Sequence, residues 1–229
     1  MGRVVQRSLR SLDQFFYFGM ALLLATIVVY GFSHTVGDSL IHPDVPPPAI
    51  FYFHAAVFSS WVVLFIVQSG LARSRNVALH RRLGWFGVVL GGAVPILGLA
   101  IAVTSQQGAE SHVFFAVSVN DMLLFATAFW LAVYWRRQPE FHRRLMLIAT
   151  CGLMGAALAR FPIIPGIPWA YAGVDGLILL GALRDLVVQG RVHVVYRYAL
   201  PCVIVGQALA LYLFLGAPQA WVAILHFIF

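Results

Sequence analysis

The sequence has no lysine, only two cysteines and few charged residues of either sign. Charged residues occupy 10% of its 229 positions, whereas a soluble domain carries roughly 25%. Apolar residues make up 61%. Such a composition cannot cover a water-exposed surface, so the expected solvent is the lipid bilayer and a separate soluble catalytic domain is excluded. The two cysteines form neither a disulfide framework nor a CxxC metal or redox motif.

Seven apolar runs are each long enough to cross a membrane, because roughly 20 helical residues span the hydrocarbon core. They lie at residues 14–33, 50–71, 83–104, 112–135, 143–161, 169–188 and 197–215. The sequence therefore predicts an all-α, polytopic membrane bundle of about seven transmembrane helices, with residues 1–229 as a single membrane domain. The apolar tail at 218–229 is too short to cross, and we expect it in the interface or against the bundle.

The arginines predict the orientation of the chain. All fifteen basic residues are arginine, and all except Arg160 lie near the N-terminus or in segments 72–82, 136–144 and 184–197. Positive segments stay on the cytoplasmic side, so we expect a cytoplasmic N-terminus and an outer C-terminus. The exclusive use of arginine indicates a GC-rich bacterial genome and hence a bacterial inner membrane. The net charge of +7 is explained by orientation, so we expect no nucleic acid as a partner. The oligomeric state stays open.

Helices two to five form a loose tandem repeat. Helix two begins with His54 and LHRRLG at 79–84 opens helix three, while helix four begins with His112 and FHRRLM at 141–146 opens helix five. These two motifs, with the alanine-rich helix that ends at Arg160, resemble the bacterial family of predicted membrane proteins called domain of unknown function 2306. The resemblance covers roughly residues 50–165. It implies a membrane bundle and brings no established activity.

Four histidines fall at two depths and are candidate cofactor ligands. His54 and His112 lie near the outer ends of helices two and four, and His80 and His142 lie at the inner ends of helices three and five. Two imidazoles at each of two levels is the layout of a b-type cytochrome with two haems, since histidine is a haem ligand and bundles build such sites between facing helices. His80 shares a helix face with a glycine stripe that lets a macrocycle or a neighbouring helix approach, formed by Gly84, Gly87, Gly91 and Gly98.

Two alternatives for the histidines stay open. Each of His80 and His142 is followed by two arginines, and such a cluster also suits contact with lipid phosphates at the membrane boundary. A metal bound by histidine without a macrocycle is the other alternative.

Polar residues within the predicted spans form a second candidate site. Asp121 lies near the middle of helix four beside Asn120, and Gln207 of helix seven lies at a similar depth as its expected partner. Arg160 and Asp175 lie nearer the outer side and are expected to pair. A charge at this depth costs at least about 2.5–3.5 kcal/mol, so these groups are protonated, paired or next to water.

The polar residues allow two kinds of role, either a proton, ion or quinone site or a structural hydrogen-bond network. We expect the remaining acidic residues, including Glu140 and Asp185, to be solvated in or near loops.

Three functional hypotheses follow. The first is a histidine-ligated haem or redox protein. The second is a small-solute or proton-coupled transporter with Asp121, Arg160 and Asp175 along its path. The third is a structural or assembly protein without a ligand. The sequence contains no P-loop, HExxH or GxSxG motif, so no catalytic residue is identified and enzymatic activity stays open.

Overall fold

The computed structural model describes the backbone of residues 2–105 and 109–228, and the side chains of residues 15–105 and 113–225. The described chain is helical between its loops, as predicted. A short π-helical segment, Gly37–Ile41, follows the first helix. In chain order the α-helices are α1 Gly2–Ser33, α2 Ala49–Arg73, α3 Val77–Thr104, α4 Ala109–Tyr134, α5 Pro139–Gly152, α6 Met154–Leu158, α7 Ile167–Gln189, α8 Val194–Gly216 and α9 Gln219–Ile228.

The helices begin and end at residues suited to those positions. The Asn76 side chain accepts a hydrogen bond from the backbone N–H of Leu79 and caps α3. Proline at the first position starts α5, where its missing N–H leaves no bond unmade. At the end of α7, Gly190 takes the left-handed conformation with φ 69°, which glycine adopts at little cost.

Five described helices are long and apolar enough to cross a membrane, and this finding supports an integral membrane protein. The segments are Phe15–Ser33, Ala49–Arg73, Val77–Thr104, Val113–Tyr134 and Val194–Gly216. The predicted spans at 143–161 and 169–188 correspond to α5–α6 and α7. The first of these is divided between helices of 14 and 5 residues, and the second contains Asp175, Arg184 and Asp185.

Interruptions in the hydrogen-bond ladder divide or weaken three of the predicted spans. The helix expected at 143–161 is broken at Leu153, between Gly152 at the end of α5 and Met154 at the start of α6. Pro95 lies inside α3 and Pro201 inside α8. An interior proline removes one backbone hydrogen bond and crowds the carbonyl four residues earlier.

Helix α4 lies at the centre of the bundle, in contact with α3, α5 and α8. Its Phe125 and Phe129 rings stack with their centroids 5.6 Å apart, and Trp61 of α2 packs edge-on against both. These three aromatic side chains are almost completely buried. The tail helix α9 also packs on α4 and buries Leu225, so it folds against the bundle.

Large apolar side chains cover the outside of the described bundle. Val89 is 72% exposed, Ile96 69% and Val205 67%. Many exposed large apolar side chains are ordinary where lipid is the solvent. The two hairpins of the expected repeat are present, since α2 packs on α3 and α4 packs on α5. The repeat itself stays a prediction.

Candidate functional site

A fully buried ion pair joins α5 to α7, at the end of the bundle that the arginines predict to be the inner one. Arg144 Nε donates to Asp185 Oδ2, and Arg144 Nη2 donates to Asp185 Oδ1, each at 2.7 Å. Both side chains are 0% exposed. This parallel two-point geometry is among the strongest ways in which a guanidinium binds a carboxylate, so the pair holds the two helices in one relative position.

Other polar and aromatic groups surround this pair. Arg144 Nη1 donates to the backbone oxygen of Glu140 at 2.7 Å and to its Oε2 at 2.6 Å. The neighbouring Arg184 donates through Nη1 to Asp185 Oδ1, and its guanidinium carbon lies 5.4 Å from the ring centroid of Tyr17 on α1. We call Glu140, Arg144, Arg184 and Asp185 the inner ionic cluster.

The carboxyl group of Glu140 titrates at the edge of the inner ionic cluster. Burial raises its pKa, but hydrogen bonds from Arg144 and Arg143, together with the charges of both arginines, lower it more strongly. The pKa of Glu140 therefore lies below its ordinary value, and the carboxylate stays ionised at neutral pH.

The expectation that Asp185 is a solvated loop residue is wrong. Helix α7 continues to Gln189, which places Asp185 inside the helix and against α5. The expectation holds only in part for Glu140, whose side chain is 50% exposed. A sequence signal for Asp185 exists, because Arg184 and Asp185 are adjacent opposite charges with apolar residues on both sides.

A hydrogen-bonded triangle of side chains connects the candidate membrane span Val113–Tyr134 of α4 to α7. The Tyr171 hydroxyl donates to Asp121 Oδ1 at 3.0 Å, and Asn120 Nδ2 donates to the same oxygen at 3.2 Å. Asn120 Nδ2 also lies 3.2 Å from the Tyr171 hydroxyl oxygen. Both donors are neutral, and none of the arginines with described side chains pairs with Asp121. The triangle therefore holds an acidic group inside the span without a cation.

The second oxygen of Asp121 faces a glycine. A Cβ atom at Gly155 of α6 would lie 3.5 Å from Asp121 Oδ2, in ordinary van der Waals contact, so this oxygen lies beside the backbone of α6. The Asp121 residue is partly exposed.

The expected partner of Asp121 was Gln207, and Tyr171 takes that place. Gln207 is buried in α8, and its side chain interacts with Asp175 of α7. Within the described part of the chain, Gln207 Nε2 and Asp175 Oδ1 have no hydrogen bond of ordinary geometry. The two side chains are therefore neighbours, without a well-formed bond.

The expected ion pair between Arg160 and Asp175 is not formed in the described structure. Helix α6 ends at Leu158, and the chain then turns so that the Arg160 side chain faces α1. Its guanidinium donates to the backbone oxygen of Ala156 and lies 4.4 Å from the ring centroid of Phe32.

The two inner histidines lie side by side. The ring centroids of His80 and His142 are 6.3 Å apart and their planes are nearly perpendicular. His142 Nδ1 lies 2.9 Å from the backbone oxygen of Ala132 on α4. Gln68 of α2 donates through Nε2 to the backbone oxygen of His80 at 3.2 Å. The structure thus brings together one of the two histidine pairs that the sequence singles out.

The structure does not test whether His54 and His112 come together. The His54 ring packs against Phe58 at a tilt, with 4.0 Å between centroids, and lies near the backbone of Leu97 on α3. His112 belongs to α4, but its side chain lies outside the described residues.

Side chains of α4 fill part of the glycine stripe on α3. A Cβ atom at Gly91 would overlap the Phe129 ring, and one at Gly98 would overlap Met122. At these two positions the stripe serves helix packing. Among the residues with described side chains, no three His, Cys, Asp or Glu groups come together as a metal site, and the structure gives no evidence for haem.

Comparison of the chain with family models, curated proteins and solved structures found no match. The resemblance to domain of unknown function 2306 therefore stays a prediction.

Proposed function

We propose that this protein is a proton-coupled transporter of small solutes, with Asp121 as the proton-carrying group. The main support for this proposal is that Asp121 lies within a candidate membrane span and accepts hydrogen bonds from the neutral donors Tyr171 and Asn120. An ionisable residue at this depth is a functional candidate by default, because an unpaired charge there is costly.

The hydrogen bonds of Asp121 are compatible with both protonation states. Tyr171 and Asn120 both donate to Oδ1, and this oxygen accepts hydrogen bonds whether the group is a carboxylate or a carboxylic acid. Oδ2, which faces Gly155, then carries the proton. A proton can therefore be bound or released there without breaking either bond to Oδ1.

A line of polar groups extends inward from Asp121 between α4, α7 and α8. Tyr171 and Asp175 are four residues apart on α7, which is about one turn or 6 Å. Asp175 interacts with Gln207 of α8, and the Asn120 oxygen lies beside Gly206, the residue before Gln207. These contacts supply a second carboxyl group for a proton that leaves Asp121. Arg160 faces α1 and is not part of this line.

We also propose that the chain crosses the membrane seven times, with α5–α6 and α7 as the two additional spans. Most of α5 is buried by other helices, from Arg144 to Gly152, so it has little surface to place in lipid. The charges of Arg184 and Asp185 on α7 are compensated where α7 packs against α5, since Arg144 and Arg184 both donate hydrogen bonds to Asp185. With the N-terminus in the cytoplasm of a bacterium, the inner ionic cluster lies at the cytoplasmic side of its inner membrane.

The experiment measures charge movement by protein reconstituted in liposomes. Solid-supported membrane electrophysiology records the current after a pH step, alone and with a panel of small neutral and anionic solutes. We expect the wild-type protein to give a solute-dependent proton current that is abolished by Asp121→Asn. The matched control is Asp44→Asn, an exposed acid in the first outer loop, which should keep the wild-type current.

Infrared spectroscopy of the same samples tests Asp121 without knowledge of the solute. The wild-type protein should show the carbonyl band of a protonated carboxylic acid that titrates with pH and is missing in Asp121→Asn. The proposal is wrong if both variants carry the wild-type current, or if no titrating band depends on Asp121.

A further inference from the structure

The two HRRL motifs meet at one point of the fold. His80 is the fourth residue of α3 and His142 is the fourth residue of α5, so equivalent positions of the two hairpins come together. Their ring centroids are 6.3 Å apart. Two imidazoles that bind one ion from opposite sides have centroids roughly 6 Å apart, given metal–nitrogen distances of about 2.0–2.1 Å.

A backbone carbonyl holds the His142 ring, whereas a ring nitrogen of His80 is left without a partner. A carbonyl oxygen only accepts, so the bond to Ala132 places the proton of His142 on Nδ1 and leaves Nε2 as a lone-pair donor. The His80 ring lies near the backbone of Gln68 without a hydrogen bond of ordinary geometry to it, and its buried Nδ1 has no hydrogen-bond partner among the described residues. Metal-binding histidines are typically held in this way, with one nitrogen on a carbonyl and the other on the metal.

We propose that His80 and His142 bind a transition-metal ion, and that the ion is monovalent copper. Imidazole nitrogens suit copper, zinc, nickel and iron. Two protein ligands are too few for a closed zinc site, whereas they complete the linear coordination that Cu(I) accepts. Arg143, which follows His142 in the chain, is paired with Glu140 at 2.7 Å. The Gln68 Oε1 atom, buried and unpartnered within the described structure, belongs to the side chain that bonds the His80 backbone.

The site is independent of Asp121 and of the proposed transport. Haem iron with two axial imidazoles shares the same protein ligands, so the test must distinguish the bare ion from the macrocycle. The filling of the stripe by Phe129 leaves less space for a macrocycle than for an ion.

The test titrates the full-length protein in detergent with Cu(I) under anaerobic conditions, in competition with a chromophoric Cu(I) chelator. We expect one equivalent of copper and, by X-ray absorption, two nitrogen neighbours. His80→Gln and His142→Asn should each weaken binding by more than the roughly 10- to 100-fold that loss of an outer partner costs. Asparagine at position 142 keeps an N–H donor for the Ala132 carbonyl, so the helix contact is retained. His42→Asn, in an exposed loop, should bind copper like the wild type.

Two results would overturn the proposal. One is copper binding that is absent, or unchanged in both histidine variants, while all proteins elute as single folded species. The other is a Soret absorption after haem-supplemented expression that disappears in His142→Asn, because this would assign the two imidazoles to haem iron.

Discussion

Arg144 and Asp185 face each other through two parallel hydrogen bonds of 2.7 Å, with neither side chain reaching the surface. A buried pair of this kind costs much desolvation to form, and removal of one partner leaves an uncompensated charge. Substitution of only one residue of this pair should therefore destabilise the packing of α5 against α7.

Loss of Asp185 alone should be more damaging than loss of Arg144 and Asp185 together. We expect Asp185→Leu to lower the free energy of unfolding by about 3–5 kcal/mol, because Arg144 and Arg184 both remain buried and charged. The double variant Arg144→Met with Asp185→Leu should recover part of that loss, because only Arg184 then loses its bond to a carboxylate. Thermal unfolding in detergent, followed by circular dichroism, measures the cycle. Arg197→Gln, an exposed arginine at the same end, is the control, and equal stability of the single and double variants would contradict the prediction.

Glu140 should give the protein an acid-sensitive contribution to stability. The pKa of this group is below its ordinary value of 4.5 in the folded state, so the unfolded chain takes up a proton first as the pH falls. The contribution is complete above pH 4.5 and is lost as the pH falls through the folded pKa. Glu140→Gln should flatten the dependence of the unfolding midpoint on pH in this range. If the unfolding midpoint of Glu140→Gln depends on pH as strongly as that of the wild type, other carboxyl groups are responsible for this dependence.

Glycines of α3 should differ in how much their substitution by alanine destabilises the protein. Gly91→Ala should destabilise the protein by about 1–3 kcal/mol, because the added methyl group overlaps the buried Phe129 ring. Gly98→Ala should cost less, since the flexible Met122 side chain can move aside. Gly19→Ala on α1, where nothing lies within 4 Å of the added carbon, is the matched control and should be neutral or slightly stabilising. Chemical denaturation of the three variants provides the comparison, and equal costs at positions 91 and 19 would contradict the packing described.

The side of the membrane on which Ile163 lies distinguishes seven spans from five. If α5–α6 and α7 cross, the loop between them is outside. If they do not, the whole segment from α5 to α7 stays in the cytoplasm. Ile163 is 86% exposed, so Ile163→Cys in a Cys202→Ser background should react with an impermeant maleimide added to intact cells. Labelling only after the cells are broken would support five spans.

Much of the architecture follows from the sequence, because the length of an apolar run indicates whether a helix can span the hydrocarbon core of a membrane. The proximity of His80 and His142 also follows in part, since both belong to one motif at the same end of two hairpins. The partners of individual polar side chains do not. Depth along a helix placed Gln207 beside Asp121, but rotation about the helix axis decides the contact, and Gln207 faces Asp175 instead.

The break at Leu153 and the partners within the inner ionic cluster cannot be predicted from the sequence, although the adjacent charges of Arg184 and Asp185 are visible in it. Segment 143–161 has the apolar length of one continuous helix, and only the packed structure shows its division into α5 and α6. The sequence predicts Arg144 and Arg184 as orientation signals, because each lies in an arginine-rich segment between apolar runs. Their burial depends on the position of Asp185, which is 41 residues away from Arg144.

Pro201 gives α8 a preferred place to bend. The residue lies between Tyr196, which packs against Gly181 of α7, and Gln207, which faces Asp175. Without an N–H at position 201, the carbonyl of Arg197 lacks its usual helical partner, so bending there disrupts one hydrogen bond fewer than bending at neighbouring residues. The turns of α8 before Pro201 can therefore tilt while the part beside Asp175 stays in place.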